Sequence, residues 1–240
     1  MTAKKRQRML LKKITDKGKT GNFYTGKSEI LTIDWNNGAN PDFYAFGDSR
    51  EVRKVDKEYY ALATIGENYK LIEEQLPSSI ESYQLAKDEK GNMYFCFYQE
   101  GVIHGFDKDA KRILEWEADE IGQGHAIYDI DYQFPDFLWL AFPTGQTVAQ
   151  ISISDKKETF KIGEYTWEEK YEPLSYPESL FVKGESVFIP NMGNNKLFRL
   201  NNESKELQLI ETFDEKLWQY RETNLGTFIV TDTGIYEIEK

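Results

Sequence analysis

The stretch that decides the fold reads HAIYDIDYQFPDFLWLAFPTGQTVAQISISDKKETFKIGE and runs from His125 to Glu164. Apolar and β-branched residues dominate it in short runs, and Pro, Gly and Asp separate those runs, which is typical of strands joined by tight turns. The pattern predicts four strands and one tight turn: strands at Ala126–Asp131, Phe137–Phe142, Val148–Ser154 and Thr159–Gly163, with the turn at Pro143–Gly145.

The same unit recurs along the chain, and its most apolar strand marks each copy. These strands are spaced by about 40–50 residues, and four strands per period of that length are typical of a β-propeller. The sequence therefore predicts an all-β fold, a five-bladed β-propeller of four-stranded blades. Six blades are the alternative, if Asn68–Ser79 or Tyr165–Tyr176 contains further strands. The five apolar runs are Phe43–Phe46, Met93–Phe97, Phe137–Phe142, Ser186–Pro190 and Thr227–Val230.

Each unit also needs an outer strand. Tyr60–Ile65 is assigned that place in the first unit, and Ile113–Glu117 in the second. The fifth unit has none, because the sequence ends at Lys240. We expect Arg8–Ile14 to close the ring by pairing with Ile235–Glu239, since closure removes exposed sheet edges. The alternative is that the basic N-terminal segment forms a short helix or a disordered arm.

Composition limits the classes of protein. The 240 residues suit one domain, residues 1–240, in which residues 1–7 are either part of the ring or disordered. The single cysteine, Cys96, excludes an internal disulfide and suits the core.

The net charge is −11; residues 1–19 hold eight basic and one acidic side chain, so the remainder carries −18. An acidic body disfavours nucleic-acid binding. Without a signal peptide or membrane span, the expected compartment is the cytoplasm.

Two parts of the chain resemble a known group of repeats. Asp88–Phe95 reads DEKGNMYF and Ile103–Asp107 reads IHGFD, which resembles the strand entry D-x-x-G-N-h-Y and the strand end h-x-x-F-D (h, apolar) of NHL-type and gluconolactonase-type propellers. Val187–Arg199 reads VFIPNMGNNKLFR and is similar to their h-A-D-x-G-N-N-R-h turn. Ile189-Pro190-Asn191 stands where those families place an Ala/Thr-Asp pair, and Lys196 stands in place of the usual arginine. The resemblance covers about two of the five blades.

The resemblance implies two kinds of function. NHL-type propellers serve recognition of protein or RNA. Gluconolactonase-type propellers are lactonases that hold a divalent cation such as Ca²⁺ with a Glu, an Asn and an Asp facing the central channel. By position, the corresponding ligands here would be Glu178, Asn191 and Asp232, with Asp129 as an alternative to Asp232.

The loops joining each outer strand to the next inner strand share one face of a propeller with the turns between second and third strands. Loops on a rigid scaffold commonly carry function, so this loop face is the predicted binding face. Clustered aromatic and amide side chains there suit a peptide, a sugar or a flat partner surface. His125 is either a ligand-binding or basic group at the channel mouth or a hydrogen-bonded structural residue. The candidate binding residues are His125, Tyr165, Trp167, Tyr171, Tyr176, Asn191, Asn194 and Arg50, with Tyr24 and Tyr69 on the same loops.

Carboxylates on the inner strands leave an enzymatic alternative open. Asp34, Asp129 and Asp131 lie where five-bladed glycosidases place catalytic carboxylates, although strand-end acids more often bind backbone amides. The sequence favours a non-enzymatic recognition module, with a protein or peptide as the first choice of ligand and a glycan as the second. The alternatives are a channel-centred hydrolase, lactonase-like with a divalent cation or glycosidase-like, and a structural subunit with an apolar patch on the ring's side.

Overall fold

The computed structural model describes residues 9–15, 19–20, 29–34, 42–46, 51–77, 83–97, 101–117, 121–168 and 172–239. Their strands form five four-stranded sheets, arranged as the blades of a ring. The prediction of a five-bladed β-propeller is confirmed. No helix in these ranges is long and apolar enough to cross a membrane.

The strands are numbered in chain order and are grouped here by blade. Within blades 2 to 4 they pair in sequence order, all antiparallel. Blade 2 holds β6 Tyr83–Lys87, β7 Met93–Phe97, β8 Val102–Phe106 and β9 Arg112–Glu117. Blade 3 holds β10 Asp129–Gln133, β11 Phe137–Phe142, β12 Thr147–Ser152 and β13 Lys157–Ile162. Blade 4 holds β14 Phe181–Lys183, β15 Ser186–Asn191, β16 Lys196–Asn201 and β17 Leu207–Thr212.

The two ends of the described chain meet in blade 5, which holds β18 Leu217–Glu222, β19 Thr227–Thr231, β20 Gly234–Glu239 and, as its outer strand, β1 Leu10–Thr15. The pair β1–β20 is antiparallel, and Leu10 lies opposite Glu239. The predicted ring closure by an N-terminal strand is therefore confirmed, and the alternative of a helix or disordered arm is wrong for these residues. Residues 1–8, including Arg8 of the predicted strand, lie outside the described ranges.

Blade 1 departs from the prediction. It holds β3 Glu29–Asp34, β4 Asp42–Phe46, β5 Val52–Val55 and the two-residue outer strand β2 Lys19–Thr20, which runs parallel to β5. The predicted outer strand Tyr60–Ile65 is instead part of helix α1, Lys57–Thr64. Asp56 caps that helix, since its Oδ1 accepts a hydrogen bond from the Tyr59 backbone N–H at 2.7 Å. The assignment failed because this cap favours a helix over the β propensity of Tyr60.

The alternative of a sixth blade is also wrong. Of the two segments proposed for its strands, Asn68–Ser79 contains helix α2, Tyr69–Glu73. The second has no strand in its described residues, 165–168 and 172–176. Tyr69, a candidate for the loop face, lies in α2 and packs against the apolar cluster between blades 1 and 2.

The described residues form five apolar core clusters, one between each pair of neighbouring blades. Strand β7 shows how the sequence builds them, because successive side chains point to opposite faces of a strand. Phe95 and Phe97 face blade 1, whereas Tyr94 and Cys96 face blade 3. Such a strand is covered on both faces, which explains its continuous apolar sequence. Burial raises the pKa of the Cys96 thiol, as expected of a core residue.

Candidate functional site on the loop face

Strand direction decides which loops meet. Because each blade is antiparallel, the turn from its second to its third strand lies at the same end as the connection to the next blade. Blade 3 contributes a 3-10 turn, Pro143–Gly145, and the connection that follows β13. Together with the connection that enters β10, these two segments bring together three of the predicted site residues, His125, Tyr165 and Trp167. Arg50, Tyr171 and Tyr24 lie outside the described residues.

The three rings form one aromatic site. The His125 and Trp167 ring centroids lie 3.9 Å apart, with their planes inclined by 33°. On the same imidazole, the Tyr165 ring lies nearly parallel at 15°, with a centroid separation of 6.0 Å. Trp167 is 73% exposed, whereas His125 is 2% exposed. The tryptophan therefore presents apolar area to solvent from a buried support.

His125 is the support rather than the exposed part of this site. Burial lowers the pKa of its imidazole, so the ring is neutral at pH 7. Its Nδ1 lies 3.4 Å from the Thr144 hydroxyl. Gly145 permits the close approach, because a Cβ at that position would lie 2.9 Å from the imidazole Cγ. The burial and the hydroxyl contact agree with the structural alternative for His125.

Tyr165 is fixed from three sides. Its hydroxyl donates a hydrogen bond to Glu158 Oε2 at 2.8 Å, and its ring meets Phe142 edge-on at a centroid distance of 5.3 Å. The Lys161 ammonium lies 4.5 Å from the ring centroid, within cation–π range. Burial and the neighbouring Glu158 raise the pKa of Tyr165. These contacts hold the connection after β13 in one position on the blade.

Tyr176 and Asn191 belong to a separate group that joins blade 3 to blade 4. The Tyr176 backbone N–H donates to Gln146 Oε1 at 2.8 Å, and the tyrosine has a left-handed φ of 48°. Asn191 is fully buried and accepts a hydrogen bond from the Ser175 backbone N–H at 3.2 Å. Asn194 lies half-buried in the adjoining turn. These residues hold two loops together, apart from the exposed tryptophan.

A ladder of polar side chains joins the inner strands of blades 3 and 4. Asp129 Oδ2 accepts a hydrogen bond from the Leu180 N–H at 2.9 Å, and Asp131 Oδ2 accepts one from the Val182 N–H at 2.7 Å. Gln133 continues the ladder by donating to the Gly184 carbonyl at 3.1 Å. The sequence marks these residues by their period-two spacing, D-I-D-Y-Q, but does not reveal their partners.

Arg221, on the inner strand of blade 5, completes the ladder and was not identified from the sequence. Its Nη1 donates to the Leu180 carbonyl at 2.7 Å, and its Nη2 lies 3.4 Å from Asp129 Oδ2. Burial raises the pKa of Asp129, and the Arg221 charge opposes that rise. Asp129 and Asp131 thus bind backbone amides, which is the structural alternative for these acids. Asp34, the third inner-strand acid, ends β3, opposite Asp42 of β4.

The three predicted metal ligands lie in different local environments. Glu178 is half-buried, and burial raises the pKa of its carboxyl to about 7. Asn191 Oδ1 is bound to the Ser175 amide, and Asp232 Oδ1 accepts a hydrogen bond from the Trp218 indole at 2.6 Å. Within the described ranges, no group of three or more His, Cys, Asp or Glu side chains is arranged to hold a metal ion.

The half-buried Asp131 predicts a pH dependence of stability. Burial raises the pKa of its carboxyl to about 6, from 3.8. The folded state binds the Asp131 proton more tightly than the unfolded state does. Protonation of this carboxyl therefore stabilises the fold fully below the unfolded pKa, and that stabilisation is lost as pH rises through about 6. We expect urea unfolding to show wild-type protein losing stability relative to Asp131→Asn between pH 4.5 and 7.5. A pH-independent difference between the two proteins would contradict this assignment.

Comparison with known proteins supports the fold of this chain. No protein-family model matches this sequence, and no curated protein matches it. Virginiamycin B lyase from Staphylococcus aureus, in its selenomethionine form, superimposes with a TM-score of 0.52 at 13% identity, over 88% of this chain and 66% of that one. A catalytically inactive variant of that enzyme, crystallised with quinupristin, gives 0.52 at 14% identity, over 86% and 64% of the two chains.

At these identities the likeness supports a fold and not an activity. The chain spans slightly less than two thirds of the length of these structures. The NHL-type and gluconolactonase-type resemblance therefore stays a resemblance of sequence motifs in about two blades. What the comparison with solved structures shows is that this chain has a β-propeller fold.

Proposed function

We propose that this chain is a non-enzymatic recognition module that binds a protein or peptide segment on the loop face of its propeller. The observation that carries the proposal is Trp167, which exposes 73% of its surface while its ring rests on the buried His125. Exposed tryptophan on a rigid support supplies apolar contact area at little entropic cost, and this residue is enriched among binding hot spots.

The inner-strand acids support a binding role over hydrolysis. A channel-centred glycosidase needs two carboxyl groups available to the sugar. Here Asp129 accepts a hydrogen bond from Leu180 just before β14, Asp131 accepts one from Val182 within β14, and Arg221 lies against Asp129. Trp167 is open to solvent, whereas Asp129 is buried and Asp131 is half-buried. Recognition at the loop face therefore agrees better with the arrangement than chemistry in the channel.

Replacing the exposed tryptophan tests the proposal. Peptides would be selected from a displayed library against the wild-type protein, and their affinities measured by calorimetry for Trp167→Ala. We expect a loss of at least about tenfold, because truncating a hot-spot tryptophan removes its contact area. The matched control is Phe134→Ala, which removes a ring that is 70% exposed from the turn between β10 and β11, at the opposite end of the blade.

The control should leave affinity within about twofold, as expected for a surface residue outside the contact. Peptides that bind wild-type and Trp167→Ala equally would overturn the proposal. A glycan array probed with the same proteins distinguishes the ligand class, because a tryptophan face also stacks on sugar rings. Binding of sugars alone, lost in Trp167→Ala, would replace the peptide assignment with the glycan one.

A further inference from the structure

A second concave surface lies between blades 4 and 5. It is a groove of about 250 Å³ at the connection from β17 to β18, lined by Met9, Leu11, Glu211, Thr212, Phe213, Asp214, Glu215, Thr231 and Tyr236. That connection joins an outer strand to the next inner strand, so this part of the groove lies at the loop-face end of the blades, and Met9 and Leu11 extend it along the outer strand of blade 5. None of the sequence patterns pointed to it, because its walls come from both termini.

The floor of the groove is apolar. Met9 and Tyr236 pack against the cluster between blades 4 and 5, in which Phe213 is buried. Leu11, on the outer strand of blade 5, is 38% exposed. Leu11 thus leaves apolar surface open to solvent beside this cluster. It therefore offers contact area for a flexible aliphatic chain.

The rim of the groove is acidic. Glu215 accepts hydrogen bonds from the hydroxyls of Thr231 at 2.7 Å and Thr233 at 2.6 Å. These bonds lower the pKa of Glu215, so that it is ionised at pH 7. Glu211 adds a second carboxylate, positioned by the Met9 backbone N–H, which donates to its Oε2 at 3.1 Å. The Lys13 ammonium lies 5.8 Å from the centroid of the Tyr236 ring. Its positive charge offsets part of the acidic charge and helps to lower the pKa of Glu215.

We propose that this groove binds an arginine or lysine side chain from a basic segment of the protein partner. Such a side chain matches both parts of the groove, because its aliphatic stem covers apolar surface while its charged head binds carboxylates. The overall net charge of −11 also favours approach of a basic partner. This inference rests on the proposed function, since it assigns a second contact to the same partner.

The probe is an acetylated and amidated Gly-Gly-Arg-Gly-Gly peptide, with its Gln counterpart as the uncharged comparison. Both are titrated into ¹⁵N-labelled full-length protein and followed by NMR. We expect saturable shifts of the backbone amides at 213–215 and Thr231 with the Arg peptide alone. The double variant Glu211→Gln/Glu215→Gln should weaken binding by about tenfold, because each charged hydrogen bond contributes to affinity.

The matched control is Glu203→Gln/Glu206→Gln, which makes the same change in net charge at the turn between β16 and β17, on the opposite end of blade 4. It should leave the affinity within about twofold. Equal weakening in both double variants, or shifts spread over the whole acidic surface, would overturn the groove as a site. Tighter binding after deletion of residues 1–8 would overturn the partner as occupant, and assign the groove to the chain's own basic segment.

The two proposals fail separately. A selected peptide that loses affinity in Trp167→Ala but not in Glu211→Gln/Glu215→Gln would leave the recognition site standing and remove the groove from it. Specific binding of the Arg peptide in the groove, without any ligand that depends on Trp167, would do the reverse. Melting temperatures of the variants, compared with wild type, show whether each is folded.

Discussion

Replacing Arg221 by alanine is expected to lower the free energy of unfolding by about 3 kcal/mol, because removal of one partner leaves a buried charge without compensation. The Asp129 side chain is only 4% exposed, and its carboxylate would lose the Arg221 guanidinium that now lies 3.4 Å away. The Leu180 carbonyl would lose its side-chain donor as well. We place the loss at the low end of the range for buried pairs, since the Arg221 side chain is 22% exposed.

Chemical denaturation at pH 7 measures this loss. The control is Arg199→Ala, which removes an exposed guanidinium that donates to Gln208 within blade 4, and which should cost no more than about 0.5 kcal/mol. An Arg221→Ala protein as stable as Arg199→Ala would show that the ladder does not depend on this charge. The double variant Arg221→Ala/Asp129→Asn should recover part of the loss, because the unpaired charge is then gone.

The second large effect is expected from Gly163→Ala, at the start of the connection that carries the aromatic site. Gly163 has φ of +90°, and a Cβ there would lie 2.1 Å from the backbone oxygen of Gln146. A backbone oxygen cannot move aside as the end of a side chain can. Left-handed strain and overpacking each cost about 1–3 kcal/mol, so we expect a loss of about 3 kcal/mol in all.

Gly66→Ala separates the two causes. Gly66 has a similar φ of +95°, but its added Cβ would meet no atom within 4 Å. Its replacement should therefore cost about 1 kcal/mol, from the backbone conformation alone. Equal losses in the two variants would contradict the steric explanation. Gly163→Ala should also weaken binding of a selected peptide, because a shift at this glycine moves the segment that holds Tyr165 and Trp167.

Much of the architecture could be predicted because strand signals are local. Continuous apolar runs such as Phe137–Phe142 indicated strands covered on both faces, and their even spacing indicated blades. The outer strand of blade 1 could not be predicted in this way. Tyr60 has high β propensity, yet its ring stacks on Phe43 from a helix, with centroids 4.2 Å apart. The ring contact is a tertiary feature and the Asp56 cap is a local one. Both compete with the β propensity of Tyr60.

The candidate site shows a similar division. The sequence placed His125, Tyr165 and Trp167 on one face, because strand order fixes which loops are neighbours. It did not distinguish the exposed ring from the buried support, since loop conformation sets exposure. The carboxylates of the inner strand were visible as a period-two pattern. Their binding to β14 and Arg221 was not visible, because those partners lie about 50 and 90 residues away in the sequence.

By itself, then, the sequence determined the strand repeat, the closure of the ring by an N-terminal strand and the face on which loops gather. These features follow from side-chain alternation and repeat spacing, which are properties of short segments. The tertiary structure alone decided which polar groups meet across blades and which aromatic ring stays in solvent. The groove between blades 4 and 5 belongs to the same class, because Met9 and Tyr236 approach each other only when the ring has closed.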